Sequence, residues 1–132
     1  MQPAITSMKA TETQVGGNHY ITMTAQPIEL ITALDCSFIQ GCIIKYICRY
    51  RMKNGAQDLL KCIHYSRLAN QFQTARKSQN ACVDFCAIKS FSQTNKLHPR
   101  QYQVITAAML GDYSQVIDLC KKILQAEYPE QQ

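Results

Sequence analysis

IIKYICRYRMKNGAQDLLKCIHYSRL, residues 43–68, decides the fold. Before Asn54-Gly55, Ile43, Ile44, Ile47 and Cys48 recur at helical spacing; after it, Leu59, Leu60, Ile63 and Leu68 do the same. Asn and Gly both tolerate the left-handed backbone in which helices end, so they separate two helices. A connection this short makes the pair antiparallel. The first helix is expected from Ser37 or Phe38 to Met52, with Phe38 on its apolar side. The second is expected from about Ala56, with Asp58 in the first turn, where the helix dipole favours negative charge.

Working outward, Pro27 suits a first helical turn, and Ile28, Ile31 and Leu34 continue that helix until residues 35–37 interrupt it. Residues 70–80 are polar and read as a fraying helix end plus linker. Cys82, Phe85, Cys86 and Ile88 suggest a short helix, and residues 90–97 a connector. His98-Pro99 opens a helix through Leu110, Gly111-Asp112 breaks it, and Ser114 to Glu127 forms the last. With no strand pattern, the fold class is all-α: a small bundle of antiparallel helix pairs with an appended C-terminal helical hairpin. The expected organisation is a flexible arm at 1–14, a helical core at 15–70, a linker with a short helix at 71–97 and the hairpin at 98–132.

A chain of 132 residues with 46% hydrophobic content can build one packed core. Seven cysteines, an odd number without a CxxC pair, read as small buried thiols rather than as metal ligands or a disulfide framework. The first residues lack the basic-then-apolar layout of a signal peptide, and no apolar run approaches the ~18 residues of a membrane span. A cytoplasmic protein with no membrane partner and no metal site is expected.

The charge is concentrated. Between Gly41 and Asn70 stand Lys45, Arg49, Arg51, Lys53, Lys61 and Arg67 against a single acid, Asp58, which accounts for the entire +5 of the chain. Lys45, Arg49 and Lys53 fall four apart, on one face of a helix, where like charges repel unless something anionic compensates them. Backbone N–H groups of the Lys53-Asn54-Gly55 turn, at the start of the next helix, would complete a phosphate cradle. Tyr46, Tyr50 and Tyr65 are near enough to receive a nucleobase. The same residues also admit a plainer account, in which Asp58 pairs with Arg49 or Lys45 across the turn and the tyrosines are core residues. His19 and His64 belong to no constellation of metal ligands. There is no GxxxxGK[ST] loop, and Asp58 is the sole acid between residues 36 and 83, too few carboxylates for a magnesium-dependent hydrolase unless Glu29 or Asp35 completes the site.

NHY at 18–20, PIELI at 27–31 and IKYICRYRMKNGAQDLLKCIHYSRL at 44–68 together resemble a family of small bacteriophage and prophage proteins. The family pattern is an N-terminal HY, a Pro-Ile helix start, and a KYI-x-R, K-N, D-L, K, Y series. The resemblance covers residues 15–69 and keeps the order and spacing of Lys45, Tyr46, Arg49, Lys53, Asn54, Asp58, Leu59, Lys61 and Tyr65. Gly41-Cys42 departs from the usual Gly-Asn, and Tyr50-Arg51 from a pair of small residues. Since the family includes a phage nucleotide kinase that lacks a P-loop and forms an oligomer, the resemblance implies nucleotide binding, a homo-oligomer, and the cytoplasm of an infected bacterial host.

The expected function is therefore capture of a nucleotide or cyclic nucleotide, without turnover, as in sequestration of a host immune signal. Lys45, Arg49 and Lys53 would meet phosphate, with Asn54 and Lys61 completing the ligand set. Asn18, His19, Tyr20, Tyr46 and Tyr65 would shape the base or sugar pocket. One alternative is a nucleoside monophosphate kinase using ATP and Mg, with Asp58 orienting the metal or the acceptor. Another is a basic adaptor for nucleic acid or protein.

Overall fold

The computed structural model describes residues 9–17, 23–72 and 82–131, so the expected ligand residues Asn18, His19 and Tyr20 lie outside the described residues. Among those described there are six α-helices and no strand: α1 Pro27–Ala33, α2 Phe38–Arg49, α3 Ala56–Phe72, α4 Phe85–Thr94, α5 Pro99–Met109 and α6 Tyr113–Glu127. The protein is all-α, and no described helix is long and apolar enough to cross a membrane.

Four helices enclose the core. α2 packs on α3, α3 on α6, α6 on α5 and α5 back on α2, which closes a ring; α1 lies on α2, and α4 on α5. The C-terminal hairpin, α5 and α6, thus supplies half of the bundle. Ile43, Ile44 and Ile47 of α2, Leu59 and Cys62 of α3, Val104 and Ile105 of α5, and Val116, Cys120 and Ile123 of α6 have no solvent exposure. At about 25 cal/mol per Å² of apolar surface, such fully buried side chains contribute roughly 1.5–3 kcal/mol each before conformational entropy is set against them. Two buried glutamines fix the register of α2 on α5. Gln40 Nε2 donates to the Ala108 carbonyl at 3.1 Å, and Gln101 Nε2 donates to the Ile47 carbonyl at 2.8 Å.

Local chemistry explains the boundaries. Ser37 caps α2 by accepting from Gln40 N–H, while the Gln40 side chain accepts from Ser37 N–H. His98 and Asp112 do the same service at the starts of α5 and α6, each accepting from a backbone N–H of the first turn. α2 ends at Arg49 rather than at Met52, because the Arg49 carbonyl accepts from the N–H groups of Met52 and Lys53, and the Tyr50 carbonyl from Gly55. Gly55 sits at φ +53°, and a Cβ there would stand 3.2 Å from the Tyr128 ring, so glycine is required both by conformation and by the close approach of the C-terminal segment.

Besides the end of α2 and the expectation of buried thiols, of which Cys82 and Cys86 are exposed, three expectations differ from what is observed. α4 continues through Thr94, because Phe91 finds a place in the core; the expected connector is five residues shorter at its start. Phe38 is 78% exposed and Leu60 is 49% exposed, whereas both were expected inside. Helical spacing places a residue on a face, but Phe38 stands at the first position of α2, at the outer edge of the bundle rather than in its core.

Candidate functional site

The α2–α3 hairpin brings Lys45, Tyr46, Arg49, Asp58, Lys61 and Tyr65 together. Tyr46, three residues before the end of α2, carries three cations around its ring: the Arg49 guanidinium at 4.8 Å from the centroid, Lys61 Nζ at 5.0 Å and Lys45 Nζ at 5.4 Å. Its fourth neighbour is the Tyr65 ring, stacked at 6.0 Å with planes 18° apart. Phe38 meets Tyr65 edge-on at 6.2 Å, as does His64 at the same distance. The spacing produces this set: Tyr46 and Arg49 are one turn apart on α2, and Lys61 and Tyr65 one turn apart on α3.

Beneath this surface lies a buried ion pair. Arg49 Nε donates to Asp58 Oδ2 and Nη2 donates to Oδ1, both at 3.0 Å, with Asp58 fully enclosed and Arg49 almost so. The plainer account of Asp58 thus holds for Arg49: its charge faces inward to Asp58, and its guanidinium serves the site as the underside of Tyr46. Arg51 is also compensated. Its Nε donates to the Tyr50 hydroxyl at 3.0 Å and Nη2 lies 3.2 Å from Glu127, while Tyr50 itself donates to Glu127 at 3.0 Å. That network ties the turn to the end of α6. Burial, the largest influence, pushes the Tyr50 hydroxyl up to about 12.

Lys45 and Lys61 remain as the cations that face outward at the ring, and among the described residues neither meets a carboxylate within salt-bridge distance. The predicted cradle at Lys53-Asn54-Gly55 is not free to take phosphate as drawn. Gly55 N–H donates to Tyr50, Gln57 N–H to Asn54, and Asp58 N–H to Gly55. Lys53 is exposed and Asn54 half-buried in the turn, which is packed against Tyr128 at Gly55.

Two residues of the surface were missed or undervalued in the sequence. Phe38 forms the exposed end of the aromatic row. Cys42, one turn before Tyr46, lies against Tyr65: burial raises its thiol, and the nearby Cys42 is in turn the largest influence raising the Tyr65 hydroxyl. The signal was present in the i, i+4, i+8 series Phe38, Cys42, Tyr46, which reads equally well as an apolar core stripe.

A recess of about 160 Å³ opens on the other side of Lys45, walled by Pro27, Ile28 and Ile31 of α1 and by Gln14 and Gln26. A wider cleft of about 380 Å³ lies at the far end of α2, where Arg51, Met52, Asn95, Lys96 and Gln101 line it. No group of three or more His, Cys, Asp or Glu side chains able to hold a metal is found among the described residues.

Residues 15–67 match a family described as a protein of unknown function, DUF3310. The match spans α1, α2 and most of α3, hence every described residue of the aromatic and basic surface. No curated protein and no solved structure matches the chain.

Proposed function

We propose that this protein binds a nucleotide on the α2–α3 surface and holds it without chemical change. The observation that carries the reading is charge: three cations gather on the Tyr46 ring, and one carboxylate, Asp58, compensates only the innermost of them. Lys45 and Lys61 are left converging on an aromatic surface, an arrangement that an anionic ligand with a flat ring relieves. Phosphate would lie between the two lysines, and the base against Tyr65 and Phe38.

Burial of Asp58 argues for capture over phosphoryl transfer. A kinase on this scaffold would need that carboxylate to orient Mg or the acceptor hydroxyl, yet both of its oxygens are engaged by Arg49 and closed off from solvent. The resemblance of residues 15–69 to phage and prophage proteins supplies a setting, in which a phage-encoded protein removes a nucleotide signal from its host. Self-association fits the same reading, since Phe38 beside the site and Phe72 at the end of α3 leave apolar area uncovered; light scattering that finds only monomer would refute this part.

Titration calorimetry with mono-, tri- and cyclic nucleotides at 50 and 300 mM salt tests the proposal. Binding that weakens with salt, and is lost in Lys45→Met combined with Lys61→Met while the fold is kept, is the expected result. Retention of long nucleic acid without affinity for any free nucleotide would instead favour the adaptor.

A further inference from the structure

Lys45 stands between an aromatic surface and a recess. On one side its ammonium stands 5.4 Å from the centre of the Tyr46 ring; on the other, its side chain forms the rim of the recess between α1 and residues 13–14. At about 160 Å³ the α1 recess falls below the roughly 300–1,000 Å³ that encloses a whole drug-sized ligand, so it suits a single ring system. Its walls are apolar, Pro27, Ile28 and Ile31, with the amides of Gln14 and Gln26 at the edge. Apolar walls of this spacing take a flat ring by its faces, as apolar side chains sandwich an unstacked base. The arm is held in place as a wall, because Gln26 Nε2 donates to the Thr11 carbonyl. α1 and α2 approach each other closely behind Ile31, with a Cβ at Gly41 placed 3.4 Å from the Ile31 methyl.

Resting on the nucleotide reading above, we infer that the ligand is a dinucleotide: two bases joined through a phosphodiester, with the phosphate at Lys45, one base on the Tyr46–Tyr65 surface and the other in the Ile28–Ile31 recess. A mononucleotide fills one half. A cyclic dinucleotide and a linear one share this chemistry; in the cyclic form the second phosphate would turn toward Lys61, whose ammonium stands 5.0 Å from the centre of the Tyr46 ring.

The test is calorimetry on the full chain with four probes: 5′-AMP, linear ApA, 3′,5′-cyclic diadenylate, and a decamer of dA, repeated with the guanine series. The second stacked base is expected to tighten binding of at least one dinucleotide by about tenfold or more over the mononucleotide. Ile28→Gln, at a position 52% exposed and so harmless to folding, should abolish that advantage while leaving mononucleotide affinity unchanged; Ile28→Leu should keep it. Equal affinity for mono- and dinucleotides, or an Ile28→Gln that weakens both alike, overturns this inference and leaves nucleotide binding intact. A decamer bound far more tightly than either dinucleotide overturns it in favour of a single strand. Failure of every probe removes the nucleotide reading, and this inference with it.

Discussion

Arg49→Ala would leave the Asp58 carboxylate enclosed in the α2–α3 interface without the guanidinium that holds both of its oxygens at 3.0 Å. Removing one partner of a buried pair costs about 3–5 kcal/mol, since the surviving charge stays out of water; an exposed pair is worth about 0–1 kcal/mol. For 132 residues, an unfolding entropy of roughly 2.1 cal/mol/K per residue makes each kcal/mol worth about 3.6 °C. The melting temperature should therefore fall by about 11–18 °C, read by circular dichroism at pH 7. The double variant Arg49→Met, Asp58→Leu removes both charges and keeps the volume, and it should recover most of that loss. A single Arg49→Ala that melts within about 4 °C of the parent protein would refute the reasoning. It would mean that the pair is open to solvent and that Arg49 is available to a ligand.

The remaining predictions concern the surface, the turn and the thiols. Lys45→Met and Lys61→Met should each weaken nucleotide binding by about 1.5–3 kcal/mol, the worth of a hydrogen bond to a charged group, and Tyr65→Ala by about 1–3 kcal/mol, with melting temperatures near the parent value; calorimetry reads all three. Gly55→Ala should lower stability by about 1–2 kcal/mol in urea, because an L side chain is strained at φ +53° and meets the Tyr128 ring. Burial pushes the Cys48 thiol from 9.0 and the Tyr50 hydroxyl from 10.0 up to about 12. The fold keeps both protons where the unfolded chain has released them, so their contribution is complete below pH 9 and is lost as pH rises from 9 toward 12; urea midpoints at pH 8 and 10.5 check the sign. In the native protein at pH 8, a thiol reagent should titrate exposed Cys82 and Cys86 quickly and buried Cys48, Cys62 and Cys120 only after unfolding.

The hairpin that decides the fold was legible because its signals agree. Apolar spacing on either side, Asn54-Gly55 between, and Asp58 in the first turn of α3 all point to the same antiparallel pair. The cluster of Lys45, Tyr46, Arg49, Lys61 and Tyr65 was legible for the same reason, since helical spacing brings them to adjoining faces. What spacing could not tell was how deep each residue lies. Arg49 is nearly enclosed and Lys45, four residues earlier, is exposed, because Asp58 of α3 stands opposite only the former. Phe38 reads as core by period and lies outside by position. α4 was read short because Ser90, Ser92 and Gln93 look like loop residues, yet Phe91 anchors that turn in the core. The closure of α5 and α6 onto α2 and α3 depends on pairings across some sixty residues, such as Gln40 with Ala108 and Gln101 with Ile47, that no local pattern announces.

Incubating the protein with a panel of mono-, tri- and cyclic nucleotides and Mg²⁺, separating the free pool by chromatography, and then heating the protein tests the central claim most directly. The account predicts that one nucleotide disappears from the free pool and returns unchanged on heating, and that Lys45→Met with Lys61→Met leaves it in solution. An untouched panel would contradict nucleotide binding, and new phosphorylated species would contradict capture without turnover.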